Sequence, residues 1–156
     1  MKREYPDTPR MGVGGVVVKD GRILLVRRGQ EPLKGRWSIP GGLLELGETL
    51  KAGVVREVRE ETGLEVEPLE LIKLLDRIDR EETPEGTRVR YHYVIADYLC
   101  RVKGGELQAS SDAEEVRWVD RTEWNSHSAL ALEPITVQVL EEAWQRVCKA
   151  QEAEGQ

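Results

Sequence analysis

Phenylalanine is missing from this chain, so Leu, Val, Ile and the four Trp must fill any core. Cysteine is scarce. Cys100 and Cys148 lie far apart and match no metal-ligand spacing, which speaks against both a thiolate zinc site and a disulfide scaffold. We read both as reduced thiols. A basic excess is absent too: 23 Lys and Arg against 29 Asp and Glu give a net charge of −6. Broad nucleic-acid binding needs a basic footprint, so no nucleic-acid partner is expected. A small phosphorylated ligand needs only a few local cations and stays open. No window has the long uncharged apolar run of a membrane helix. The polar opening stretch, with Pro6 and Pro9, lacks the apolar core of a signal peptide. The expectation is a cytoplasmic protein with no membrane partner.

What is present reads as one domain. The length of 156 residues suits a single core. We place a domain at residues 11–150, with a flexible segment at 1–10 and a frayed end at 151–156. Residues 12–18 read as a buried strand, and Asp20-Gly21 is a hairpin turn signal. Residues 22–27 return as a second strand. Residues 29–35 form a loop, and Pro40 biases the preceding residues 37–39 toward extended backbone. Residues 41–47 read as a glycine-rich turn. Residues 49–62 form a helix, because Leu50, Val54 and Val58 recur every four residues. Glu48 or Thr49 can cap its start, and Gly63 fits the left-handed position after its end. Gly53 inside the helix implies close packing against another backbone. Residues 64–75, 89–102 and 115–119 are strand candidates, with a loop at 83–86 and a turn at Gly104-Gly105. Asp120 is a helix cap. Pro134 opens a last helix, whose Leu140, Ala143, Trp144 and Val147 form the buried face. The pattern predicts an α/β fold: a mixed sheet covered on both faces.

The chemistry sits in residues 42–64. Glu57, Glu60 and Glu61 stand at i, i+3 and i+4, so they share one face of the helix. Glu48, just before the helix, can fold back toward them. Like charges at this spacing destabilise a bare helix by a few tenths of a kcal/mol per pair, so something positive should sit among them. Oxygen-only ligands, without His or Cys, favour Mg²⁺ or Mn²⁺ over zinc. Arg56 is placed to orient a carboxylate by a forked contact. A solvated acidic face is the ordinary reading of a lone Glu cluster. Here the glycine turn, Glu48 and Gly63 would all have to coincide with it.

This segment resembles the Nudix box: Gly, five residues, Glu, seven residues, Arg-Glu, an aliphatic residue, any residue, Glu-Glu, any residue, Gly, an aliphatic residue. Gly42, Glu48, Arg56, Glu57, Val58, Glu60, Glu61, Gly63 and Leu64 match every defined position. Residues 37–42, Trp-Ser-Ile-Pro-Gly-Gly, resemble the usual approach to the box. The resemblance implies the Nudix-type α/β/α sandwich with a mixed central sheet. It also implies a hydrolase that cleaves the pyrophosphate bond of a nucleoside diphosphate linked to another moiety.

Carried onto this chain, the resemblance makes Glu57, Glu60 and Glu61 metal ligands, with Glu48 an additional or indirect one. Gly42 supports the loop, with one carbonyl ligand from Gly41 or Gly42. Glu57, Arg56 and Glu60 would carry catalysis. The base would be Glu57 or a carboxylate outside the box, for which Asp112, Glu114 and Glu115 are candidates, with Glu81 and Glu82 behind them. Arg27 or Arg28 is placed to meet substrate phosphate, and strand alternation allows only one of them to do so. Trp37 is placed to stack on a base or to pack in the core. Tyr91 and Tyr93 should share one strand face, with His92 on the other. The substrate expected is ADP-ribose or a nucleotide sugar. The alternatives are MutT-like hydrolysis of (oxidised) nucleoside triphosphates and, from another class, a non-catalytic nucleotide sensor. A homodimer, common among relatives, is compatible with the sequence.

Overall fold

The computed structural model describes residues 2–31, 33–109, 113–125 and 130–154. The sheet begins where apolar residues alternate. Strand β1 (Arg10–Lys19) sends Val13 and Val17 to one face and Val16 to the other. Asp20 and Gly21 take φ of 52° and 75°, the two positive values a tight hairpin turn requires, and β2 (Arg22–Arg28) returns antiparallel. Then come β3 (Trp37–Ser38) and β4 (Gly41–Leu43), helix α1 (Leu50–Thr62), and the long strands β5 (Leu64–Thr83) and β6 (Gly86–Gly105). Strand β7 (Ala113–Val119), the short helix α2 (Arg121–Asn125) and helix α3 (Pro134–Glu154) complete the order.

These strands make one seven-stranded sheet in the order β3-β2-β1-β6-β5, with β4 added to β1 and β7 to β2. The β1–β6 pair is parallel and the other pairs are antiparallel, so the sheet is mixed, as expected. Each face buries a separate cluster. Val13, Val17 and Leu24 pack with Val54 and Val58 of α1. Val16, Ile23 and Leu25 pack with Val139, Leu140 and Ala143 of α3. The sheet therefore lies between α1 and α3, the predicted α/β/α sandwich. Among the described residues no helix is long and apolar enough to cross a membrane.

Helix α1 starts and stops on its own chemistry. The Thr49 hydroxyl accepts from the Ala52 N–H at 3.1 Å, so Thr49, not Glu48, is the cap. Gly63 takes φ 79° and donates to the Arg59 carbonyl. Replacing Thr49 by Ala should cost about 1 kcal/mol, read as a shift in the urea midpoint with an unchanged slope.

Several expectations need correction. Residues 41–43 are a strand rather than part of a turn, because Gly41 and Gly42 pair with Gly14 and Val13 of β1. Only the stretch that follows turns. Gly53 is not pressed against a backbone: a Cβ there would meet the side chains of Leu44, Glu48 and Val13. β5 and β6 run well past the predicted ends and meet in a tight turn between Thr83 and Gly86. Gly104 and Gly105 stay in β6, paired with Glu65 and Leu64, so the chain turns after them. α3 continues to Glu154, past residue 151.

Candidate functional site

One guanidinium organises the acidic helix face. Arg56 Nε donates to Glu48 Oε2 at 2.7 Å, and Nη2 donates to Glu48 Oε1 and to the Leu43 carbonyl, each at 2.9 Å. Nη1 donates to Glu57 Oε1 at 2.7 Å and to Glu60 Oε2 at 3.2 Å. The forked contact predicted for Arg56 is therefore made with Glu48, the residue before the helix. The adjacent Glu57 takes a single arm. The fork fixes the Glu48 loop onto α1. On the other side of the cluster, Glu61 Oε2 accepts from the Gly41 N–H at 3.1 Å. Arg56 and Glu61 thus tie the cluster to β4.

The electrostatics follow from this geometry. Burial pushes the Glu57 carboxyl up, against the pull of Arg56. Hydrogen bonding to Arg56 holds the Glu48 carboxyl below its usual range, and the same bonds raise Arg56 further. Among the described residues, no group of three or more His, Cys, Asp or Glu side chains is set as a metal cage. Arg56 is the counter-charge that gathers three of them. The donor set nevertheless fits a hard divalent cation: carboxylate oxygens only, on one helix face, beside strand backbone.

Gly42 makes that fit possible. A Cβ at this position would lie 2.5 Å from the Glu57 carboxyl carbon. The glycine lets the carboxylate rest against β4. Gly42→Ala should displace Glu57 and cost about 1–3 kcal/mol, as overpacking does. The expected readout is a lower melting temperature together with lost affinity for Mn²⁺ in titration.

A cleft of about 500 Å³ opens on the α3 face of the sheet, and Gly41, Gly42 and Leu43 form one of its walls. The carboxylate cluster and the cleft therefore share β4. Of the two arginines ending β2, Arg28 lines the cleft. Arg27 turns away, 3.3 Å from Glu114 and 3.9 Å from Glu115. The two side chains thus take opposite directions, as strand alternation predicted. Trp37 does not line it and packs against the core cluster under α3. Tyr93 lines it and stacks on Tyr91, with ring centroids 6.2 Å apart.

The carboxylates considered outside the box divide by position. Glu114 and Glu115 face Arg27. Glu81 lies 3.5 Å from Arg88, and Glu82 accepts from the Thr87 hydroxyl, both far along the β5–β6 hairpin. Asp112 lies outside the described residues. Charged groups that line the cleft but were not singled out in the sequence include Arg3, Asp76, Asp79, Asp97, and the pair Arg77–Glu133 at 2.8 Å. Arg3 arrives because the segment before β1 is tied to β6. The Tyr5 N–H donates to the Arg90 carbonyl, Glu4 accepts from the Tyr91 hydroxyl, and the Arg88 guanidinium sits over the Tyr5 ring. Tyr5 and Glu4 were the only local signals for this, and neither marks a docking site by itself.

Comparison with known proteins agrees with the geometry. Residues 8–142 match the family model of the NUDIX domain. The ADP-ribose pyrophosphatase of Methanocaldococcus jannaschii is 39% identical over 112 residues, covering 72% of this chain and 62% of that protein. A MutT-like protein of Streptomyces ambofaciens is 38% identical over 125 residues, covering 80% of this chain and 72% of that protein. The crystal structure of a MutT NUDIX hydrolase from Burkholderia pseudomallei superposes with a TM-score of 0.71 at 31% identity, covering 87% of this chain and 98% of that one. With the glycine strand of the box set between its carboxylates and a cleft, and with a family match over most of its length, the chain belongs to the NUDIX family.

Proposed function

We propose that this chain is a metal-dependent pyrophosphohydrolase that cleaves ADP-ribose or a related nucleotide sugar into a nucleoside monophosphate and a sugar phosphate. The observation that carries this reading is the shared wall: β4 borders the cleft on one side and the carboxylate cluster on the other. A diphosphate lying along Gly41–Leu43 is within reach of both. The family's general use of divalent metal and the name of the Methanocaldococcus relative support it.

Glu57, Glu60, Glu61 and Glu48, with a backbone carbonyl at Gly41 or Gly42, would hold Mg²⁺ or Mn²⁺. When bound, the metal neutralises the diphosphate and acidifies water. The chain's own residues do the rest. Arg28 and Arg3 present positive charge to the phosphates from the cleft side. Arg56 is a positioning residue: its bonds to Glu48, Glu57 and Glu60 fix the carboxylates before substrate arrives. Glu57 is the carboxylate suited to take a proton from the attacking water, since burial raises its basicity.

The test is product identity. ADP-ribose incubated with protein and Mg²⁺ should give AMP and ribose 5-phosphate on an ion-exchange column. Release of pyrophosphate from (oxidised) dNTPs, with ADP-ribose left intact, would assign the MutT-like reaction instead. Tight nucleotide binding without any product would assign a sensor. A second copy of the chain as partner belongs to the same proposal, and its check is the mass by sedimentation.

A further inference from the structure

The floor of the cleft carries an ionisable side chain that the hydrolysis above does not use. Alternation along β6 puts Tyr93, Ile95, Asp97 and Leu99 toward α3. Asp97 is only 4% exposed and lines the cleft. Among the described residues, no hydrogen bond or ion pair reaches its carboxyl, and its register partner on β5, Lys73, makes no pair with it. Burial pushes this carboxyl up to about 7, with no charged neighbour contributing.

The surrounding chain makes room for it. Gly14 is its register partner on β1. A Cβ on Gly14 would collide with Asp97 Oδ1 and lie 2.9 Å from Ile39 Cδ1. The glycine thus keeps open the space that the carboxyl fills. An apolar side chain on this wall of the cleft would avoid the cost of burying a polar group that no protein partner satisfies. A polar group that is buried, unpaired and facing a cleft is satisfied when a ligand enters.

We propose that Asp97 recognises the nucleoside part of the substrate, through a hydrogen bond between its carboxyl and an N–H or O–H donor of the base or ribose. This rests on the cleft being the substrate site, as above. A phosphate is the wrong partner for a carboxyl, and the phosphates are already placed by β4 and the arginines. The uncharged, donor-bearing part of the ligand remains. The geometry leaves two sources of that donor, the exocyclic amine of the base and a ribose hydroxyl, and the test separates them.

AMP binding is measured by calorimetry, without turnover, on the full chain with Mg²⁺. Asp97→Val should weaken AMP by about tenfold or more, as loss of a hydrogen bond to a buried acidic group does. Asp97→Asn, which keeps an acceptor, should fall between the two. Both variants should melt no lower than the parent, which separates lost recognition from lost folding. Purine riboside monophosphate lacks the amine, and 2′-deoxy-AMP lacks one hydroxyl. The analogue that removes the true donor should bind the parent and Asp97→Val equally. Equal AMP affinity in the parent and Asp97→Val, or no AMP binding to the parent, would overturn the assignment. ADP-ribose left uncleaved, with AMP binding that still depends on Asp97, would sink the proposed reaction and leave this inference standing.

Discussion

Glu57→Gln should lower kcat with ADP-ribose by about 10²–10⁴-fold, the range for loss of a positioned proton acceptor, while the protein stays folded. The two effects separate for a physical reason. Glu57 is largely buried, with its side chain 14% exposed, and it bonds Arg56 at 2.7 Å. Gln keeps its size and one acceptor oxygen, so Arg56 retains a partner there as well as Glu48 and Glu60. The carboxylate is costly to bury, as its raised proton affinity shows. A neutral amide relieves that cost and offsets the weaker bond to Arg56. The net change in stability should stay within about 1 kcal/mol. Catalysis has no such compensation. The amide cannot accept a proton, and it removes one negative charge from the oxygen cluster that would hold a cation. Glu65→Gln is the control: Glu65 is half exposed and 3.7 Å from Arg59. Exposed pairs contribute about 0–1 kcal/mol, and this one lies outside the cleft, so its rate should stay within about twofold of the parent. Steady-state rates and thermal melts on the three proteins read both effects. A Glu57→Gln rate within about tenfold of the parent would remove Glu57 from the chemistry.

The acidic helix was legible because several local signals agreed. Its apolar stripe, its Thr49 cap and its Gly63 stop all act within a few residues, and Glu57, Glu60 and Glu61 sit where that helix turns them. The split between Arg27 and Arg28 was legible in kind, since alternation needs only a strand. The length of β5 and β6 was not. Their outer halves, residues 76–83 and 86–90, are dense in charge and show no apolar alternation. They pair as a hairpin arm supported by cross-strand contacts such as Arg88 with Glu81 and Thr87 with Glu82. Gly41 and Gly42 read as a turn because glycine disfavours strands. They form one because the facing residues of β1 include another glycine, Gly14, and the backbones can come close. The cleft was illegible altogether. It is made where β1, β4, β5, β6 and α3 meet, and nothing near residue 97 in sequence says that its carboxyl ends under a helix.

Asp97 should also leave a mark on stability that runs opposite to most carboxylates. Its proton affinity in the fold is raised to about 7 from an ordinary value of 3.8. Between those values the folded chain keeps the proton and the unfolded chain loses it. The unfolded state therefore binds fewer protons, and stability falls as pH rises through this window. Each tenfold gain in proton affinity on folding is worth about 1.4 kcal/mol, so the full loss is on the order of 4 kcal/mol by pH 8. Asp97→Asn has no proton to lose. Against the parent, it should be close in stability at pH 4 and gain progressively up to pH 8, which also makes it several degrees more heat-resistant at alkaline pH. Urea unfolding of both proteins across this range gives the difference directly, and contributions from other titrating groups cancel in it. A constant difference from pH 4 to pH 8 would mean that the carboxyl is ionised in the fold, with a partner or with water around it. A difference that grows with pH, accompanied by weaker AMP binding in the same variant, is the signature of a residue whose burial costs stability and is retained for recognition.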